Sequence, residues 1–347
     1  MSNASELKLG NRRPRQSWLS QPWLWMLLLA GSSVGIQAQT CQSAPDMDVA
    51  ERSSLENVAR RYFEMSARGD TAGLKQNSIA SVAASFAGIE AAIKENQAAF
   101  TGANATVRPP FLLTAEGSEP MERAEFLCGV FGPSGQTKES AVFVLNNLPP
   151  GKYGVTVLDL NGGKEPRTLT FVLQQAFSDW KLAGFYAKSS QAAGHDAAWF
   201  AQRARDFKAK TQNHSAWLYY REAIALAAPV DFMSTLGTDK LYDEAQATLP
   251  SDVPANGNAV DLSAGGKIYH LTDIFPLAEA GDFDVVVKYQ SADVSNTART
   301  FQENTSVIKA LVAKYPEFRD AFAGVVARAV EPSGRDYGTL LPMKDIK

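Results

Sequence analysis

Residues Gln174–Ser190 read QQAFSDWKLAGFYAKSS. Trp180–Ala187 is rich in aromatic and aliphatic residues, which favour a strand. It follows Thr168–Gln174, where Leu169, Phe171 and Leu173 alternate with Thr168, Thr170 and Gln174, the period of a half-buried strand. A short Ser178-Asp179 link pairs the two runs as an antiparallel hairpin. Strict alternation along the second run sets Trp180 and Leu182 on the face opposite Ala183 and Phe185. Small and polar residues after Ser189 then hand the chain over to helical spacing. The stretch is therefore read as the last strand of a sheet domain and the boundary with a helical segment.

Working back from it, Phe111–Ala115, Ala124–Phe131, Ala141–Leu148 and Tyr153–Leu160 are also strand-like. Their separators are turn material: Gly132-Pro133-Ser134-Gly135, Pro149-Pro150-Gly151 and Asn161-Gly162-Gly163. Connections this short imply a meander. Before the meander the period is helical. Ser53 and Glu56 are spaced as a capping box, and Leu55, Val58, Tyr62 and Met65 follow on one side. Gly69 is placed to end that helix and Asp70 to cap a short one around Leu74. Val82, Phe86, Ile89, Ile93 and Phe100 predict a third, about Ser81–Phe100. Helices followed by antiparallel strands give an α+β fold.

Tyr62-Phe63-Glu64 through Gly69-Asp70 and Leu74, closed by the WKLAGFYAK strand, resemble the NTF2-like (cystatin-like, SnoaL-like) superfamily over about residues 53–189. The resemblance implies a cone-shaped pocket between helices and a concave sheet. Some members are enzymes, and many only bind ligands or assemble. No enzymatic family's acid or base matches a position here. Phe171, Trp180 and Tyr186 are the candidate ligand-binding residues of such a cone, with Glu125 its most interesting carboxylate. A buried acid would be a general base with a raised pKa. The ordinary reading of Glu125 is an outward, solvated carboxylate, and of the three rings, sheet-core packing.

After the sheet, Phe200, Ala204 and Phe207, then Ala216, Tyr220 and Ala223, mark two helix faces over 197–229. The spacing resembles a single tetratricopeptide repeat, with the helix around Thr235–Ala247 as its cap; the equal alternative is any helical hairpin packed on its neighbour domain. Trp217-Leu218-Tyr219-Tyr220 puts rings on more than one helix face, from packing on two sides or from display to a partner. Residues 249–266 are rich in Pro, Gly and Asn and read as a linker. Lys267–Thr272, Asp282–Tyr289, a helix over Asn296–Tyr315, Ala323–Val330 and an edge strand or tail in Arg335–Ile346 make a small α+β unit that resembles no family. The expected organisation is a signal peptide over 1–38, a flexible lead over 39–50, the NTF2-like domain over 51–190, the helical segment over 191–248, the linker over 249–266 and the last unit over 267–347.

The signal peptide rests on Lys8, Arg12, Arg13 and Arg15, the apolar Trp23–Ala30 and the small residues ending at Ala38. About eight apolar residues are too few to span a bilayer, which takes roughly 20; the other reading is an uncleaved anchor extended through Gly31–Ile36. Cleavage after Ala38 removes four cations and Glu6, a net +3, and takes the chain from −3 to −6. An export signal implies a periplasmic or secreted protein. Lipidation of Cys41 is the lesser reading, because Ala38 stands where Leu is usual. In an oxidising compartment Cys41 and Cys128 can pair; two unpaired thiols, with Cys128 as a small buried residue, is the equal alternative.

Dispersed Lys and Arg exclude a nucleic-acid footprint. No cofactor loop and no metal-ligand spacing is present. His195-Asp196 reads as a hydrogen-bonded or helix-capping pair, His214 as a solvated turn residue and His270 as a strand residue that is partnered or exposed. The sequence thus leads to an exported, non-catalytic binding or assembly protein of the cell envelope. Its partner would be a small apolar ligand or a protein segment in the cone, with the helical unit as an interaction surface. The alternative is an isomerase or hydratase using a carboxylate inside the cone.

Overall fold

The computed structural model describes residues 39–131, 135–279 and 281–347. The expected signal peptide, its cleavage site and most of the Gly132–Gly135 turn lie outside the described residues. The chain is α+β. In order it forms β1 (Gln39–Gln42), α1 (Val49–Ala67), α2 (Thr71–Gln76), α3 (Ala80–Ala84), α4 (Ala87–Phe100), β2 (Asn104–Val107), β3 (Phe111–Ala115), β4 (Met121–Cys128), β5 (Ala141–Leu148), β6 (Gly151–Asn161), β7 (Arg167–Ala176) and β8 (Asp179–Ser189). Two short strands, β9 (Gln191–Ala192) and β10 (His195–Asp196), lead into α5 (Ala197–Ala209) and α6 (Asn213–Ala227). β11 (Met233–Thr235), α7 (Leu236–Gln246), β12 (Val260–Ala264), β13 (Lys267–Glu279), β14 (Asp282–Gln290), α8 (Thr297–Lys314), α9 (Phe318–Ala321), β15 (Gly324–Val330) and β16 (Asp336–Pro342) complete it.

Helix α1 begins at Val49, earlier than the Ser53–Glu56 box implies. Asp48 is its N-cap and accepts from the Ala50 N–H at 2.8 Å. Gly69 at φ +70 ends it, and Asp70 caps α2 through the Gly73 N–H at 2.9 Å. The single helix expected over 81–100 is broken at Ser85–Phe86 into α3 and α4.

The first sheet has the order β1-β3-β6-β7-β8, with β2 pairing the far end of β6. Helices α1–α4 cover one of its faces, burying Leu55, Tyr62, Leu74, Ile93 and Phe100 against Leu158, Leu169, Phe171 and Leu182. Gly154 lets α1 approach β6, because a Cβ there would overlap the Leu55 side chain. The opposite face packs on a second sheet, β11-β5-β4, through Phe111, Val155, Phe126 and Phe143. Strand β1 serves both sheets. It pairs with β3, its Gln39 side chain accepts from the Glu125 N–H of β4 at 2.7 Å, and Cys41 is disulfide-bonded to Cys128 of β4.

The period-2 alternation breaks in β8. Val172 pairs with Gly184 but Leu173 pairs with Leu182, so Ala183 is an extra residue. Trp180, Leu182 and Phe185 therefore all enter the helix-side core, where strict alternation would have turned Phe185 away. At Gly184 a Cβ would stand 2.9 Å from the Tyr186 ring and 3.2 Å from Val172.

The third sheet, β12-β13-β14-β15-β16, is antiparallel except for the parallel β14–β15 pair, which α8 connects. One core runs from Phe200 through Tyr219 and Val287 to Met343, so the helical hairpin and the C-terminal strands bury one another. Residues 249–266 are not only linker, since β12 lies within them and pairs with β13. Trp217, Leu218, Tyr219 and Tyr220 are all buried, which makes α6 a helix packed on two sides. Among the described residues no helix is long and apolar enough to cross a membrane.

The disulfide spans 87 residues, a loop whose closure is worth about 4–5 kcal/mol by the chain-entropy model. Cys41→Ser with Cys128→Ser should lower the unfolding free energy measured by urea titration by that order, and dithiothreitol should lower the wild type to match.

Candidate functional site

The space under the helices is occupied by side chains. Phe171 meets Tyr62 at 6.0 Å and Phe185 at 5.7 Å between ring centroids, and Phe185 and Phe63 both reach Phe100. Edge-on contacts of this kind are ordinary core packing. The Tyr62 hydroxyl closes the open end by donating to the Trp180 carbonyl at 2.9 Å and the Asn77 carbonyl at 3.1 Å.

The four residues expected to line a cone do not converge. Phe171 and Trp180 are buried in the helix-side core. Tyr186 projects from the opposite face, 44% exposed, with its ring 5.4 Å from Phe232. Glu125 stands on β4 of the second sheet, exposed, with Arg123 at 3.8 Å. Asp159 is likewise outside, bound to Arg108 by two hydrogen bonds of 2.6 and 2.8 Å. Strand alternation sends Tyr186 outward once the bulge has turned Phe185 inward.

Trp180 nevertheless borders a cleft. At the end of the sheet where β7 turns into β8, Ser54, Val58, Arg61, Asn77, Ser178, Asp179, Trp180 and Lys181 enclose about 160 Å³. Its walls are polar. Arg61 leans over the Tyr62 ring at 5.2 Å. The hairpin turn beside it consists of Phe177 and Ser178, because Asp179 already pairs with Ala176. Phe177 is fully exposed and has φ +56.

A second polar cluster joins the two halves of the chain. Lys188 of β8 donates to the Ala228 carbonyl at 2.6 Å and to the Ala225 carbonyl, at the C-terminal end of α6. A cation suits the negative end of a helix. Glu222 lies one turn back on α6, with Arg221 next to it donating to the Ile274 carbonyl of β13. Burial pushes the Glu222 carboxyl up to about 7, against the pull of Lys188 and Arg221. Burial also lowers Lys188, opposed by Asp231 and Glu222.

Of the three histidines, His214 departs from expectation. Asp196, not His195, caps α5 by accepting from the Trp199 N–H at 2.9 Å, while His195 stacks on Trp199 at 3.7 Å. His270 pairs with Asp261 at 2.6 Å, both side chains being exposed. His214 is not a solvated turn residue. Its Nδ1 meets Glu317 at 2.7 Å, its Nε2 meets Asp252 at 2.8 Å, and its ring lies on Tyr315. Burial would raise the Asp252 carboxyl, but His214 and Lys314 outweigh it and hold the group below the usual range. Asp252 and Glu317 are 38 and 103 residues from His214, so no local pattern announces them. Among the described residues, no group of three His, Cys, Asp or Glu could hold a metal ion. No protein-family model, curated protein or solved structure matches this chain.

The Glu222 pKa stands above its ordinary value of 4.5, so the native state keeps a proton that the unfolded chain has released. That stabilisation is complete below about pH 4.5 and disappears as pH rises through 7. Wild type should therefore lose about 2–3 kcal/mol between pH 5 and pH 8.5 that Glu222→Gln does not lose. Thermal unfolding of the two proteins across that range measures the difference.

Proposed function

We propose that the chain is an exported, non-catalytic binding or assembly protein of the cell envelope, and that it meets its partner through the β7–β8 turn. The observation that carries this reading is Phe177. A bulky side chain at positive φ costs on the order of 1–2 kcal/mol, and hairpin turns give such positions to Gly, Asn or Asp. Here the residue is a fully exposed phenylalanine. Backbone strain without a packing return marks a residue kept for contact with something else.

Export is supported by the basic and apolar N-terminal segment and by the Cys41–Cys128 bond, which belongs to an oxidising compartment. Helices on one face of an antiparallel sheet support the NTF2-like resemblance. The tetratricopeptide-like pair is packed into the C-terminal core, so partner contact is assigned to the hairpin turn instead. A small apolar ligand in the cone would have to displace Phe171 and its neighbours. The isomerase or hydratase alternative needs a carboxylate inside the cone, and Glu125 and Asp159 lie outside the helix-side core.

Phe177→Gly should hold the unfolding free energy to within about 1 kcal/mol, since relief of strain offsets the added chain entropy. The same change should cut partner recovery by crosslinking in intact cells at least about tenfold, a loss of ~1.4 kcal/mol. Unchanged recovery, or a large loss of stability, would count against the reading. Intact-mass measurement of the exported chain should give Gln39 as first residue and a mass two hydrogens short of the dithiol.

A further inference from the structure

The cleft at the base of the turn carries a charge pattern that partner contact at Phe177 does not use. Arg61 and Lys181 supply two cations and Asp179 one anion to the same 160 Å³ space. None of the three takes part in an ion pair among the described residues, although sixteen other Lys, Arg and His side chains do. Ser54 and Ser178 add hydroxyls to the walls. The excess of positive charge in the cleft contrasts with the −3 of the whole chain.

The floor is held from below. The Asn77 carbonyl accepts from the Leu182 N–H at 2.8 Å as well as from Tyr62, and the Ile79 N–H donates to the Leu182 carbonyl at 3.0 Å. These bonds tie the segment after α2 to β8 as a short parallel bridge. The cleft walls are therefore positioned by the fold and not by loop chance. A cavity of roughly 150 Å³ holds a ligand about the size of benzene.

We propose that this cleft binds a small zwitterion of the α-amino-acid type. Its carboxylate lies against Arg61 and Lys181 and its ammonium against Asp179. An anion alone would leave Asp179 facing a like charge, and a cation alone would meet two cations. A molecule carrying both signs within a few bonds satisfies all three side chains. The site goes beyond the partner contact at Phe177, and either can fail alone.

The test uses the full exported chain and three isosteric probes, L-alanine, propionate and ethylamine. Each is titrated while the backbone amide resonances of Asn77, Asp179 and Lys181 are followed. L-Alanine should shift all three and bind about tenfold more tightly than propionate, a difference of one charge pair. Ethylamine should not bind. Asp179→Asn should bring L-alanine down to the propionate level, and Lys181→Ala should weaken both. Phe177→Gly should leave the titration unchanged. Thermal unfolding of each variant checks that it is folded. Propionate binding as tightly as L-alanine would overturn the assignment, as would no shift with any probe or equal binding by Asp179→Asn.

Discussion

One extra residue in β8 governs how the two halves of the protein are joined. Before Ala183 the strand sends Trp180 and Leu182 into the helix-side core; after it, the alternation restarts one step out of phase. Phe185 can then add its ring to the same core, and Tyr186 and Lys188 emerge on the other sheet face. Without the bulge, Phe185 would lie on that other face and Lys188 would point among aliphatic side chains. A one-residue slip of this kind reverses every later side chain. Gly184 makes it feasible by leaving room between the Tyr186 ring and Val172.

Lys188 is where that geometry meets electrostatics. A partly buried ammonium is costly unless its donors are satisfied. The last turn of α6 offers the Ala225 and Ala228 carbonyls. Those are groups that a helix end leaves without intrahelical partners. The same turn brings Glu222 and the nearby Asp231 into the field of the cation. The N-terminal sheet thus grips the helical hairpin through a charge whose compensation is partly a proton equilibrium. The hairpin in turn is inseparable from the C-terminal sheet, because Phe200 and Tyr219 pack directly on Phe283.

Local chemistry was legible in the sequence. Gly69 and Asp70 act at helix ends where turn and capping rules place them, and Thr168–Gln174 is a strand with Leu169, Phe171 and Leu173 on one face. What could not be read was anything that depends on partners far along the chain. The bulge at Ala183 leaves no local mark beyond an adjacent glycine, so the face of Phe185 came out reversed. Ser53 resembled an N-cap because Glu56 follows at the right spacing, yet Asp48 reaches the first free N–H groups. His214 had no carboxylate at helical spacing, since Asp252 and Glu317 come from other elements. The cone residues failed for a similar reason: composition shows that Phe171 and Tyr186 are aromatic, but only tertiary pairing decides that one fills a core and the other faces Phe232.

The same long-range bonds explain why the β7–β8 end can carry a strained residue at all. A left-handed phenylalanine would relax if the hairpin were free to change its turn. It is not free, because Trp180 and Leu182 directly after the turn are bonded from two sides. Tyr62 of α1 donates to the Trp180 carbonyl, and Leu182 exchanges backbone hydrogen bonds with Asn77 and Ile79. Both side chains are also buried. Register is thereby fixed within a few residues of Phe177, and Ala176 must pair with Asp179. The turn inherits two central residues and no slack. The conformation of Phe177 is set by bonds that belong to the core, while its side chain stands fully exposed and adds nothing to that core.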